Sequence, residues 1–182
     1  KRGMKLLYTA HGFAFYKGAP PFPSVIFKAV EKYCAKLTDV LITINREDFA
    51  YAKHHLHAGR IEYVPGVGVD TEAYAPNALL REKTRKSLGL SDSETMVLSV
   101  GRLDRNKNHE TAIRAAADCI RKHPETAIRL FIAGDGRLRR RLETLARALG
   151  MESHVCFLGY RADIPALMCA ADIYIHLSKT EG

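Results

Sequence analysis

From Met96 onward the chain alternates between short apolar runs and stretches of helical periodicity. Met96–Val100, Arg129–Ala133, Val155–Leu158 and Ile173–Leu177 read as strands. Asn108–His123, Arg137–Leu149 and Ile164–Ala170 read as helices. No other feature constrains the fold as tightly. Strands joined through helices run parallel, and a parallel sheet needs cover on both faces. The expected class is α/β, with Rossmann-like parallel sheets. Such sheets bind ligands beyond the carboxyl ends of their strands. Four loops therefore become candidates: Gly101–Lys107, Gly134–Gly136, Gly159–Asp163 and Ser178–Gly182. Three of them open with glycine.

The first loop carries the most chemistry. Gly101 lets the backbone turn and lets a ligand approach. Arg102 and Arg105 offer planar forks that suit phosphate oxygens, and Lys107 adds a point charge. Asn108 suits the N-cap of the helix that follows, whose first N–H groups favour an anion. Together these fit a phosphate or diphosphate. The competing reading is an ordinary solvated turn, because a full glycine fingerprint is lacking. The other loops add Asp135, Arg161, Lys179 and Glu181 to the same rim. Local ion pairs compete for these groups. Arg102 can pair with Asp104 or Asp135, Arg161 can pair with Asp163, and Asp135 suits a turn.

The N-terminal part is less regular. Lys5–Tyr8 reads as a strand, followed by an aromatic loop with Phe13, Phe15, Tyr16 and Phe22. Pro20, Pro21 and Pro23 argue against helix or strand there. A helix is expected over Ser24–Lys36, with Ile26, Val30, Tyr33 and Leu37 as its core-facing stripe. Lys28, Lys32 and Lys36 form a second stripe. It reads either as a solvated face or, beside exposed aromatics, as a contact for anionic headgroups. Strand Val40–Ile44, helix Arg46–His55 and strand Ile61–Val64 follow, then PGVGVD at 65–70, a joint by its glycines and proline. A short basic helix, Arg81–Leu88, precedes the regular half. The expected domains are residues 1–66 and 77–182, joined by 67–76.

With 182 residues, the chain allows one domain or a domain and a part. Its net charge of +8 favours anionic partners: nucleic acid, acidic lipid or phosphorylated ligands. Cys34, Cys119, Cys156 and Cys169 are scattered through apolar elements, which reads as buried free thiols in a reducing compartment. His54, His55 and His57 read as surface rather than as a metal site, lacking a nearby carboxylate. No apolar run suits a membrane span. Met4 directly precedes a strand, so the sequence reads as a piece of something longer.

The segments YTAHGFAFYKGAP, LTDVLITINREDFAYAK, YVPGVGVD, VGRLDRNKNHETAIRA, LFIAGDG and FLGYRADIPALMCAADIYIHLSKTEG occur in an order that resembles the retaining GT-B glycosyltransferases (group 1, family 4 type). The HGF-x2-YKGAP segment is similar to the branch with bacterial capsular and exopolysaccharide enzymes. GR-x4-K followed by S-x2-EG is the most specific part. The resemblance implies two Rossmann-like domains facing across a cleft, an acceptor-side N-terminal one and a donor-binding C-terminal one. It implies that Arg102 and Lys107 grip the diphosphate of a nucleotide-sugar donor, a UDP-sugar. Gly101 and Gly134 would belong to the same donor site, with Tyr160 and Arg161 over the nucleobase. Glu181 would lie by the transferred sugar as the first of a glutamate pair, and His11 would reach that sugar near the reacting carbon. Catalysis would fall to His11, Arg102, Lys107 and Glu181, with no cofactor or metal, because the basic pair takes the cation's part. The implied acceptor is a saccharide or a lipid-linked one at the cytoplasmic membrane surface, and nucleic acid is not implied.

The sequence also departs from the family pattern. The second glutamate and the glycine-rich loop that opens the N-domain are absent, and Ala14 stands where relatives often carry a second histidine. The resemblance therefore implies a central piece that does not turn over alone. Two other functions stay open. One is a basic nucleic-acid-binding module, which suits the charge but shows no base-reading motif. The other is a GT-B nucleotide-sugar epimerase, which should lack the GR-x4-K and EG pairing.

Overall fold

The computed structural model describes residues 3–15, 21–66 and 68–179. The chain divides into two compact units between Val69 and Asp70. In the first unit, β1 (Leu7–Ala10), β2 (Val40–Thr43) and β3 (Arg60–Tyr63) form a parallel sheet in chain order. Leu7 stands opposite Val40, and Val40 opposite Arg60. The crossovers are α1 (Pro21–Ala35) and α2 (Arg46–His55). Asn45 starts α2 by accepting the Asp48 N–H at 2.8 Å. Phe13 and Phe15 stack with centroids 5.0 Å apart, and Tyr51 packs on both. These rings, with Leu41, Ala52 and Leu56, make the core of this unit.

Several expectations fail here for physical reasons. The first strand lies later than Lys5–Tyr8, because the ladder with β2 rather than local apolarity sets its start. Leu6 O already accepts the N–H groups of Asp39 and Val40. Pro21 and Pro23 begin α1 instead of blocking it, since first-turn N–H groups have no intrahelical partner to lose. The stripe Ile26, Val30, Tyr33 and Leu37 is exposed, by 48–68%. The half of α1 turned to the unit's interior carries Glu31, which accepts the Tyr8 hydroxyl at 3.2 Å, and buried Ala35. Lys28 Nζ sits 5.6 Å above the Phe15 ring and 5.7 Å above Tyr51. Periodicity finds an apolar face but not what covers it. Of the supposedly exposed aromatics, Phe13 and Phe15 are buried and Phe22 is exposed; Tyr16 lies outside the described residues. Cys34 is exposed on the uncovered side of α1, while Cys119, Cys156 and Cys169 are half-buried; all four are free thiols.

The second unit contains β4 (Thr95–Val100), β5 (Ile128–Ala133), β6 (Val155–Gly159) and β7 (Ile173–Tyr174). Its sheet is parallel throughout, in the order β6-β5-β4-β7. Its helices are α3 (Ala78–Ser87), α4 (His109–Lys122), α5 (Arg139–Ala148) and α6 (Ile164–Ala170). Side chains alternate along β5. Leu130 and Ile132 join a core with Ile113 of α4 and Leu142 of α5. Phe131 and Ala133 join the opposite core with Leu98 and with Leu167 of α6. Arg85 of α3 is 6% exposed. It donates to Ala170 O, Ser91 O and Glu94 O, and to Asp172 Oδ2 at 2.9 Å. Asp172 also accepts Arg81 and the Met96 N–H. This latch ties α3 to the end of α6 and to the starts of β4 and β7. The last strand is shorter than Ile173–Leu177, because the chain leaves the β4 ladder after the Ile175 N–H has bonded Leu98 O.

Candidate active site

The strand order creates the site. The chain runs outward from β4 through β5 to β6, then returns to lay β7 on the other side of β4. The order of connection therefore switches between β4 and β7, the place where sheets of this kind bind ligands at the carboxyl ends of their strands. Backbone hydrogen bonds stitch the neighbouring strand ends together: Gly101 N–H to Ala133 O at 2.9 Å, and Gly134 N–H to Gly159 O at 2.7 Å. The fit is tight. A Cβ at Gly134, whose φ is +146°, would lie 1.9 Å from Gly101 O, so only glycine can stand there.

The loop after β4 is organised by one carboxylate. Asp104 accepts Arg102 Nε at 2.6 Å, the Asn106 N–H at 2.9 Å and the Lys107 N–H at 3.0 Å. The Lys107 peptide bond, joined by the Arg102 guanidinium and Asn106, holds this carboxyl below the usual range against the opposing effect of burial. Arg102 therefore reaches outward from a fixed base, with its side chain 77% exposed. The stem of Lys107 crosses Gly101: its Cγ is 3.2 Å from where a Cβ would stand. Lys179 N–H donates to Asn106 O at 2.9 Å, which seats the start of the Ser178 loop against the same turn. Asn108 is not the expected side-chain cap. Its backbone is left-handed, φ +55°, and its side-chain oxygen accepts the Thr111 hydroxyl instead.

Gly101, Arg102, Lys107, Gly134, Tyr160 and Arg161 all lie on this one rim. Tyr160 is 83% exposed. Arg161 pairs with both oxygens of Asp163, at 2.7 and 2.6 Å, just before α6. The local pairing weighed for it is thus present. Asp135 accepts the Gly136 N–H at 2.7 Å and serves its turn. Arg139 and Arg141, near the start of α5, pair with Glu143 and Glu110. His11 belongs to the first unit, exposed just beyond β1. The turn after it is held by buried Asp48, which accepts the Phe13 N–H at 3.0 Å. Glu181 lies outside the described residues. His54, His55 and His57 are exposed, and no cluster of potential metal ligands occurs among the described residues.

A family model for group 1 glycosyl transferases matches residues 81–182, which include every predicted rim residue. The chain belongs to the group 1 glycosyltransferases. EpsD of Bacillus subtilis (strain 168), named as a glycosyltransferase, is 39% identical over 184 residues, spanning 100% of this chain and 48% of EpsD. The Escherichia coli UDP-Gal:alpha-D-GlcNAc-diphosphoundecaprenol alpha-1,3-galactosyltransferase is 30% identical over 180 residues, 97% of this chain and 46% of that enzyme. The chain thus spans about half the length of these curated relatives. Among solved structures, Anabaena Alr3699/HepE in complex with UDP and glucose superimposes with a TM-score of 0.79 at 26% identity, covering 97% of this chain and 47% of that one. WaaG, a glycosyltransferase involved in lipopolysaccharide biosynthesis, gives 0.77 at 23% identity, covering 96% of this chain and 50% of its own, and shares the GT-B fold.

In this group 1 chain, sequence reasoning missed the residues that hold the site rather than line it. Asp104 carries a readable signal, since Asp followed by two residues with free N–H groups is the pattern of an Asx turn. Asp48 and the buried pair Ser99 and His109 carry none.

Proposed function

We propose that the chain is the central piece of a retaining transferase that moves a sugar from a UDP-sugar to a saccharide or lipid-linked acceptor in exopolysaccharide assembly. The observation that carries this reading is the Gly101–Lys107 loop. A carboxylate-braced turn presents Arg102 and Lys107 at the carboxyl end of β4, where the strand order reverses. HepE, captured with UDP and glucose, and the Escherichia coli enzyme, whose name specifies UDP-galactose and a diphosphoundecaprenol acceptor, support the choice of donor and acceptor classes.

The chemistry assigned to each residue follows. The donor's diphosphate lies on Gly101, with Arg102 and Lys107 as its cations and Gly134 letting the neighbouring strand end pack against Gly101. As the bond from the anomeric carbon to the terminal phosphate oxygen breaks, that oxygen gains charge, and a fixed cation stabilises it without reorganising. No metal or cofactor is required, because the basic pair does this. Tyr160 and Arg161 take the nucleobase edge of the site; Arg161 does so while anchored to Asp163. Glu181 and His11 act on the sugar by motif. The enzyme works in the cytoplasm, and α1 with Lys32, Lys36 and exposed Phe22 rests against the inner membrane face. Residues 1–66 serve the acceptor side and residues 77–182 the donor.

Calorimetry on the chain tests the reading. UDP should bind better than UMP, and UMP about as well as uridine, because the braced pair acts on the second phosphate. Equal affinity for UDP and UMP would remove the diphosphate site.

A further inference from the structure

His109, the first residue of α4, is 2% exposed. One ring nitrogen, Nδ1, lies 3.1 Å from the hydroxyl of buried Ser99 on β4. The other, Nε2, is buried and has no hydrogen-bond partner among the described residues. An unpaired buried polar atom is destabilising, and an apolar side chain would avoid it. The ring lies beneath the diphosphate turn: Nε2 is 3.7 Å from where a Cβ on Gly101 would stand, and Lys107 Cγ flanks the same point. Burial pushes the imidazole below the ordinary histidine range. The Gly101 and Arg102 peptides and Asp104 pull the other way, and His176 adds to the lowering. The net lowering favours the neutral form of the ring. When the neutral ring accepts the Ser99 hydroxyl at Nδ1, Nε2 carries the proton and is a donor held under the turn.

We propose that His109 is a positioning residue of the Arg102 and Lys107 site: fixed by Ser99, it holds the Gly101–Arg102 turn from below in the arrangement that grips a diphosphate. This rests on the reading of the loop as a diphosphate site. Held by Ser99 on one side and set against the Gly101 and Arg102 peptides on the other, the ring keeps the turn in one arrangement.

Hydrogen exchange and UDP and uridine titrations of the chain, wild type against His109→Phe and His109→Gln, test it. In His109→Phe the Leu103 and Lys107 amides should lose protection on the order of tenfold, while Val97 and Leu98 in β4 keep theirs. UDP affinity should fall by a similar factor with uridine unaffected, the size expected for one lost hydrogen bond. His109→Gln, which keeps a donor and an acceptor, should recover most of both. If the phenylalanine variant does not fold, Ser99→Ala, which frees the ring, should show the same losses. Unchanged loop protection and UDP affinity would overturn the proposal, as would parallel losses for UDP and uridine that track a lower Tm; the ring would then be core packing. A wild-type chain that binds UDP no better than uridine would sink the diphosphate site instead, and the amide protection alone would then decide whether His109 holds the turn.

Discussion

Arg102 and Lys107 are set differently, and their variants should differ too. Arg102 is exposed but tethered through Nε to Asp104, which leaves its terminal nitrogens to a ligand. Lys107 lays its stem across Gly101 and delivers a point charge. In the enzyme built on this chain, both should matter more for rate than for donor binding, because charge on the leaving oxygen grows in the transition state. Lys107→Ala should lower kcat on the order of 100- to 1,000-fold, or about 3–4 kcal/mol, with a modest change in donor KM. Arg102→Lys should also be costly, since lysine cannot hold Asp104 and a phosphate with one planar fork. Steady-state kinetics on variants of normal Tm decides this. A raised KM with kcat intact would reduce the pair to uniform binding. At this scale the residues that share the rim were legible, because glycine, arginine and lysine declare their chemistry. The residues that brace them were not. Asp104, Asp48 and His109 act through bonds to backbone or to residues distant in sequence, and those exist only once the chain has folded.

The alternation of strands and helices was legible throughout the second unit, and α6 fell where its pattern placed it. Strand order was not, because nothing local records that β7 returns to the far side of β4. The helix α1 shows the complementary failure: its apolar stripe was real, but within this unit it faces outward. The latch at Asp172 was equally hidden, since its partners Arg81, Arg85 and the Met96 N–H are remote in sequence. Burial raises the Asp172 carboxyl, but the Met96 N–H and the two guanidiniums outweigh it, so its range lies below normal. Asp172→Asn should leave buried Arg85 without its counter-charge and cost about 2–3 kcal/mol near neutral pH. A carboxyl lowered by folding stabilises above its unfolded pKa of about 4 and loses that contribution as pH falls through its folded value. The difference in Tm between wild type and variant should therefore shrink below about pH 4. A constant difference down to the lowest pH at which both fold would mean that the charge is not what holds the latch.

Viewed as a whole, the chain carries a net charge of +8, yet many arginines are locally paired: Arg102 with Asp104, Arg161 with Asp163, Arg114 and Arg141 with Glu110. Lys32 and Lys36 lie on exposed positions of α1 or next to it, and Phe22 is also exposed. No helix among the described residues is long and apolar enough to cross a membrane, so contact with lipid would be electrostatic and interfacial. Flotation with vesicles containing anionic lipid should fall when Lys28, Lys32 and Lys36 are all replaced by alanine. Because Lys28 is engaged above Phe15, Lys28→Ala alone should do little. A triple variant that floats like wild type would make the stripe an ordinary solvated face.

The return of β7 to β4 also sets the timetable of synthesis. Met96 bonds Asp172 across 76 residues of chain. When β4 leaves the ribosome, one flank of it has no partner, and β5 and β6 can only extend the other. A nascent chain can thus build most of the second unit while the rim beside β4 is still incomplete, and long-range parallel pairing of this kind is intrinsically slow. The proposed site is complete only after the last described strand has been made.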